Sequence, residues 1–272
     1  MILSFERNFL FLKNPKTAGT SIEIALSRTL NSPKDIVTTI SPKDELIRLK
    51  EGGLSPQNWA NPSNNLIERA KKWKKIINFC RQNYNDLFCN SSNKVSTIKL
   101  LTLKRQIFPA NYWNHMKLDD VIDRIGLENF ERLFSFVVIR HPFNRVISSW
   151  LANAKQEEVS RITLSQARTQ IKNALDTDGE RQKDFCFSEK YRTQVTKIYK
   201  FEELDSGLKD ACLQIGMKQD VLLPLPKVKT TNRKNSFLSF DKQDIIDEEL
   251  KELIYFKYQW EFENFYQTES WK

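Results

Sequence analysis

The sequence predicts an α/β protein: a three-layer fold with a central parallel sheet flanked by helices. Three observations predict it. Two runs of large apolar residues, Phe9–Leu12 and 133–139 (LFSFVVI), read as fully buried strands. A helical pattern follows each run directly. A third strand-then-helix unit sits at 195–215. Unbroken apolarity is what a parallel strand covered on both faces requires. Strands that alternate with helices build βαβ units, which place helices on both sides of the sheet. The 272 residues are read as one domain, 1–272, with a mainly helical insertion at about 41–108.

The first unit carries the most chemistry. After Phe9–Leu12 the chain turns through Asn14-Pro15, and Lys16 arrives just before the small-residue run Thr17-Ala18-Gly19-Thr20-Ser21. An amphipathic helix follows, with Ala18, Ile22, Ala25 and Leu26 on one stripe. A helix N-terminus leaves backbone N–H groups without partners and carries the positive end of the macrodipole. The hydroxyls of Thr17, Thr20 and Ser21 and the Lys16 ammonium converge on the same place, which makes a phosphate cradle. The order differs from a kinase-type phosphate loop. That loop brackets four residues with glycines and then supplies Lys and Ser or Thr; here the lysine comes first and Gly19 stands alone. The structural alternative is a tight strand-to-helix packing turn.

The middle of the chain is polar. Within 41–108 a loop rich in Gly, Pro and Asn spans 52–65, and Lys71, Lys72, Lys74 and Lys75 share a helix with Trp73, Ile76, Ile77 and Phe79. That helix is either a solvated basic face over an apolar one or a docking face for an acidic acceptor. A helix is expected over Leu118–Ile125, stopped by Gly126. The strand 133–139 then ends in Arg140-His141-Pro142, and Pro142 suits the first turn of a helix carrying Val146, Ile147, Trp150 and Leu151. Arg140 at the strand end and Ser148 in the second helical turn reach one anion, a forked permanent cation with a short hydroxyl donor. Taken alone, Arg140-His141-Pro142 is also an ordinary helix start. Residues 155–183 read as polar helix and 195–201 as the third strand. A helix over 202–215 stops at Gly216, a basic loop with prolines spans 222–235, and an acidic helix at 241–256 precedes an aromatic tail.

Composition narrows the partners. The formal net charge is +9, from 43 Lys and Arg against 34 Asp and Glu, which favours polyanions. No nucleic-acid recognition motif accompanies it, so nucleic acid is not expected. The four cysteines, Cys80, Cys89, Cys186 and Cys212, include no pair two residues apart, and His115 and His141 are the only histidines. That is poor material for zinc. The cysteines read as small core residues in a reducing compartment, with a Cys80–Cys89 bridge left open. No apolar run approaches the about 20 residues of a membrane helix, and Glu6 and Arg7 interrupt any leader. The chain as given is expected to be cytoplasmic, and Asn90-Ser91-Ser92 to be a chance glycosylation pattern.

Two anion sites at the carboxyl edge of one parallel sheet point to a nucleotide phosphorylated at two separate positions. Three activities compete: group transfer from such a nucleotide, a nucleotide-dependent kinase of P-loop type, and a non-catalytic basic module binding polyanions. The absence of a Walker lysine weighs against the kinase.

The pairing of PKTAGTS after an N-terminal strand with FVVIRHPFNRVISSW resembles the sulfotransferases that use 3′-phosphoadenosine 5′-phosphosulfate (PAPS). The resemblance is to the carbohydrate-type branch, with its chondroitin and heparan-uronyl enzymes and bacterial relatives. NYWNHMKLDDVI, IYKFEELDSGL, LPLPKVKTTNRKN and YQWEFENFY resemble later segments of that branch. His141 departs from it, since the family usually has Asn beside the arginine. The resemblance implies a P-loop-like fold and in-line transfer of a sulfuryl group to an acceptor hydroxyl, of a carbohydrate or another molecule. It requires no metal and releases adenosine 3′,5′-bisphosphate. It implies that Lys16, Thr17, Ala18, Gly19, Thr20 and Ser21 hold the 5′-phosphosulfate and that Arg140 and Ser148 hold the 3′-phosphate. Lys16 would stabilise the leaving group and His115 would be the general base. The alternative for His115 is a helix cap or a buried structural residue. Lys229, Asn232 and Arg233 either close over the nucleotide or form a plain solvated loop. Arg145 either reaches phosphate or forms a surface ion pair, and His141 supports Arg140 and the Pro142 turn. The acceptor's identity and the oligomeric state stay open.

Overall fold

The computed structural model describes residues 1–60, 111–154, 159–177, 181–228 and 238–266. The strands are β1 (Ile2–Ser4), β2 (Phe9–Leu12), β3 (Ile36–Val37), β4 (Phe134–Ile139), β5 (Phe187–Ser188), β6 (Thr193–Gln194) and β7 (Lys197–Lys200). The central sheet has the order β3-β1-β2-β4-β7, and β5 pairs with β6 apart from it. β2, β4 and β7 run parallel. β1 is antiparallel to both its neighbours, so the sheet is mixed at one edge and parallel where the site lies. The sequence reading merged β1 into the first unit, because Glu6 and Arg7 mask a short apolar strand.

Side chains alternate along each strand, so each strand feeds two cores. Phe9 and Phe11 of β2 join Phe136, Val138 and Tyr199 beneath α1 (Gly19–Ser27). Leu10 and Leu12 join Val137 and Ile139 on the other face. That second face is covered by α3 (Leu118–Ile125), α4 (Pro142–Asn153), α5 (Leu164–Thr177) and α7 (Glu248–Lys257). α2 (Pro42–Lys50) packs against α1, and α6 (Leu204–Gln214) lies on β7. Gly207 allows that approach, since a Cβ there would stand 2.9 Å from the Tyr199 ring. The three layers match the expected class.

Several boundaries moved. α1 is buried along its whole length, not amphipathic as its stripe suggested. Its charged residue, Glu23, is neutralised in the interior by Lys13 and Arg48 at 2.8 and 2.9 Å. The acidic helix expected at 241–256 is two pieces, Lys242–Ile245 and α7. Ile246 is extended, and Asp247 restarts the helix by accepting a hydrogen bond from the Leu250 N–H at 2.9 Å. Of the expected insertion, α2 and residues 51–60 are described. The N–H groups of Asn111 and Tyr112 both donate to the Trp59 carbonyl, at 2.8 and 2.9 Å. The Lys71–Lys75 face, the Cys80 and Cys89 pair and the Asn90 pattern lie outside the described residues. Cys186 and Cys212 are buried free thiols. No helix among the described residues is long and apolar enough to cross a membrane.

Candidate active site

Register brings the two anion loops together. Leu12 pairs with Val137 across the parallel β2–β4 ladder, so the segments that follow both strands leave the sheet side by side. A cavity of about 270 Å³ opens there. Lys16, Ala18, Gly19, Thr20 and Ser21 line it from the first loop and α1, Arg140 and Ser148 from β4 and α4. His115 and Phe201 complete the set that the chemistry uses.

The first loop is bent into an unusual path. Lys16 and Ala18 both adopt left-handed backbone conformations, with φ of 68° and 57°. Single left-handed residues between right-handed ones turn successive N–H groups to one side, a nest for an anion. Ala18 occupies the N-cap of α1 and supplies no side-chain acceptor, so the first-turn N–H groups keep their donor capacity. Gly19 is required by space, because a Cβ there would lie 2.6 Å from the Lys13 Cγ. Thr17 behaves differently from its neighbours. It is buried, and its hydroxyl donates to the Asn14 carbonyl at 2.9 Å, closing the turn from inside.

The second loop presents Arg140. Its Nη1 donates to the Lys16 carbonyl at 3.2 Å, and its guanidinium stands 4.4 Å from the Phe201 ring centre. Burial lowers its pKa, but an arginine stays charged at any physiological pH. Its Nε is buried with no hydrogen-bond partner among the described residues. The cavity therefore holds a permanent cation on its wall. Ser148 is nearly buried on the same wall.

His115 enters from the segment before α3. Its Nδ1 lies 2.9 Å from the Lys13 carbonyl oxygen. A carbonyl can only accept, so Nδ1 carries the proton and Nε2 keeps its lone pair. Burial, with the Lys13 charge behind it, lowers the pKa to about 4. His115 is thus neutral at pH 7 with one basic nitrogen.

Sequence reasoning missed the residues that join the loops. Asn14 donates through Nδ2 to the Val138 carbonyl and to Gln182 Oε1, both at 3.0 Å. Gln182, fully buried, also accepts the Arg140 N–H at 2.8 Å and donates to the Arg140 carbonyl at 2.9 Å. Nothing in a polar stretch marks one glutamine as internal. Lys13 was missed because one lysine after a strand looks exposed; here it lies in the wall, paired with Glu23.

Other expectations resolve by position. His141 is buried, its N–H donating to Glu202 Oε1 at 3.1 Å and its ring edge-on to Tyr266 at 4.8 Å, in keeping with a supporting role. Arg145 does not line the cavity and is not on the surface. It is buried over the Tyr258 ring, away from the cavity wall, because the α4 face it occupies packs on α7. Lys229, Asn232 and Arg233 lie outside the described residues, while Val228, just before them, lines the cavity.

A sheet whose central strands run parallel, with an uncapped helix N-terminus and a facing arginine at their carboxyl edge, defines a P-loop-like α/β fold. The chain belongs to the sulfotransferase family, whose model matches residues 2–267. That membership makes it a transferase of sulfuryl groups rather than a nucleotide-dependent kinase. No curated protein and no solved structure matches the chain.

Proposed function

We propose that this chain moves a sulfuryl group from PAPS to a hydroxyl of a carbohydrate acceptor by in-line displacement. The observation that carries this reading is the shared cavity: Lys16 and Arg140, 124 residues apart, line one wall system and touch through a 3.2 Å hydrogen bond. A ligand with two separated phosphates meets both at once. The residues fit such a donor. The nest and the α1 N-terminus suit the 5′-phosphosulfate, and the Arg140 guanidinium, with Ser148 on the same wall, suits the 3′-phosphate.

The donor supplies the activated sulfuryl group; the rest is the work of this chain. Lys16 and the first-turn N–H groups of α1 face the bridging oxygen that gains charge as its bond to sulfur breaks. Stabilising charge that develops only in the transition state accelerates the step. His115 Nε2 accepts the proton of the acceptor hydroxyl as its oxygen bonds to sulfur. The bisphosphate leaves with the electron pair, and the proton stays on His115. The sulfate ester keeps the acceptor oxygen. The carbohydrate class rests on the resemblance of residues 111–122 and of both phosphate motifs to the carbohydrate branch.

The test is direct. Purified protein incubated with PAPS and a panel of glycans yields sulfated sugar by mass spectrometry, and calorimetry gives tighter binding of adenosine 3′,5′-bisphosphate than of ATP. No sulfated glycan together with equal affinity for the two nucleotides rejects the proposal.

A further inference from the structure

We propose that Gln182 is a positioning residue that locks the two anion loops in register, so that both phosphates of one nucleotide bind simultaneously. The inference rests on the bisphosphate reading above. Three hydrogen bonds from one amide carry it. Its oxygen accepts from Asn14 Nδ2 at 3.0 Å and from the Arg140 N–H at 2.8 Å, and its nitrogen donates to the Arg140 carbonyl at 2.9 Å. One side chain thus grips the start of the first loop and both main-chain polar groups of Arg140. Its own N–H donates to Glu261 Oε1 at 3.1 Å, which ties it to the C-terminal helices. It is fully buried, so water cannot replace these bonds.

Gln182 is absent from the cavity wall and touches no position where the donor or acceptor would react. Its effect passes through the loops it holds. Asn14 keeps a second anchor, the Val138 carbonyl at 3.0 Å, so the first loop retains support when Gln182 is changed. For Arg140, Gln182 bonds both the N–H and the carbonyl, and the guanidinium adds a longer bond of its own to the Lys16 carbonyl at 3.2 Å. Loss of Gln182 therefore removes two bonds that fix the Arg140 main chain and only one of the two that Asn14 Nδ2 makes, so it loosens the second loop more than the first. The quantity at stake is the gain in affinity that the 3′-phosphate adds to a nucleotide already held by its 5′-phosphate, because that gain requires both loops at a fixed spacing.

Calorimetry on the full chain with adenosine 5′-phosphate and adenosine 3′,5′-bisphosphate measures this gain as a ratio of Kd values. The parent is expected to show a ratio of at least about tenfold, and Gln182→Leu to lose most of it, about one hydrogen-bonded contact's worth. Gln182→Glu adds a readout that general destabilisation does not give. Ionised, its carboxylate faces the Arg140 carbonyl without a donor. Protonated, it regains the donor and matches glutamine in shape, so it folds as the parent does at low pH. Its ratio is expected to recover relative to the parent's as pH falls from 7 to 5. A parent ratio near one defeats the bisphosphate reading itself. A normal parent ratio retained by Gln182→Leu, or a Gln182→Glu ratio that ignores pH, overturns the positioning role alone.

Discussion

The main-chain oxygen of Lys13 lies 2.9 Å from Nδ1 of His115, and that contact decides which ring nitrogen can act. Nδ1 is committed as a donor, so the basic lone pair belongs to Nε2 of a residue that lines the cavity. The residue after β2 therefore serves two purposes. Its backbone orients the base, and its side chain, anchored to Glu23, stands in the wall of the anion site.

Replacing His115 tests the base. His115→Ala is expected to lower kcat by about a hundredfold or more, the usual worth of a positioned general base. The Kd for adenosine 3′,5′-bisphosphate should stay within about twofold, since the imidazole binds the acceptor proton and not a phosphate. A kcat equal to the parent's removes His115 from the chemistry and leaves the structural alternative.

The pH profile follows from the same residue. Burial pulls its pKa from 6.5 down to about 4. A base must be unprotonated, so kcat/KM falls as pH drops through about 4, and not near 6.5. Stability shifts in the same window: between pH 6.5 and 4 the unfolded chain binds this proton and the folded chain does not, so stability rises with pH there. An acid limb centred near 6.5 that survives in His115→Ala assigns the titration to another group.

Arg140 and Lys16 should fail differently. Arg140→Lys keeps a charge but loses the fork that reaches the Lys16 carbonyl and stacks on Phe201. Bisphosphate affinity is expected to fall about tenfold, with adenosine 5′-phosphate little changed. Lys16→Ala is expected to cost about a hundredfold in kcat, as loss of an oxyanion donor does. Identical losses of kcat and affinity in both variants contradict the division of labour.

Much of this was legible because strands and helix starts are local. The apolar runs of β2 and β4 and the small residues of α1 declare themselves within a few positions of the sites they build. The edge of the sheet was not legible: β1 has three residues, and its antiparallel pairing depends on a partner β2 that already looks complete. The burial of α1 escaped for a related reason. Glu23 marks a solvated face unless Arg48, 25 positions later, is known to meet it. Gln182 and Asn14 were silent because an internal polar bridge requires two loops to be neighbours first, and residue type does not announce that.

Gly19 supplies a steric test of the cradle. An added Cβ would stand 2.6 Å from the Lys13 Cγ and 3.4 Å from the Asn14 carbonyl. Either Lys13 withdraws from Glu23 or the loop opens, and both disturb the nest. Gly19→Ala is expected to cost about 1–3 kcal/mol, the range for overpacking a filled site. Nucleotide affinity should fall with it. A variant with the parent's urea midpoint and unchanged nucleotide affinity shows that the loop has slack.

Beneath the cradle, Glu23 bonds Lys13 at 2.8 Å, Arg48 at 2.9 Å and the Thr38 hydroxyl at 3.2 Å, all buried. Burial works to raise its pKa, yet the facing charges, Lys13 foremost, outweigh it and bring the carboxyl from 4.5 to about 2. Glu23→Gln removes the carboxylate that Lys13 and Arg48 share, while Arg48 keeps Glu45 at 3.2 Å, and breaking this buried ion-pair network is expected to cost about 3–5 kcal/mol at neutral pH. Urea denaturation reads this as a lower midpoint with an unchanged slope. The sign with pH is fixed: between 4.5 and 2 the unfolded chain binds the Glu23 proton first, so the parent loses this stability as pH falls through that window. The gap between parent and variant must therefore be full above pH 5 and shrink towards pH 2. Equal midpoints at pH 7 would mean that Glu45 suffices for Arg48 and that the wall of the anion site stands without the Glu23 carboxylate.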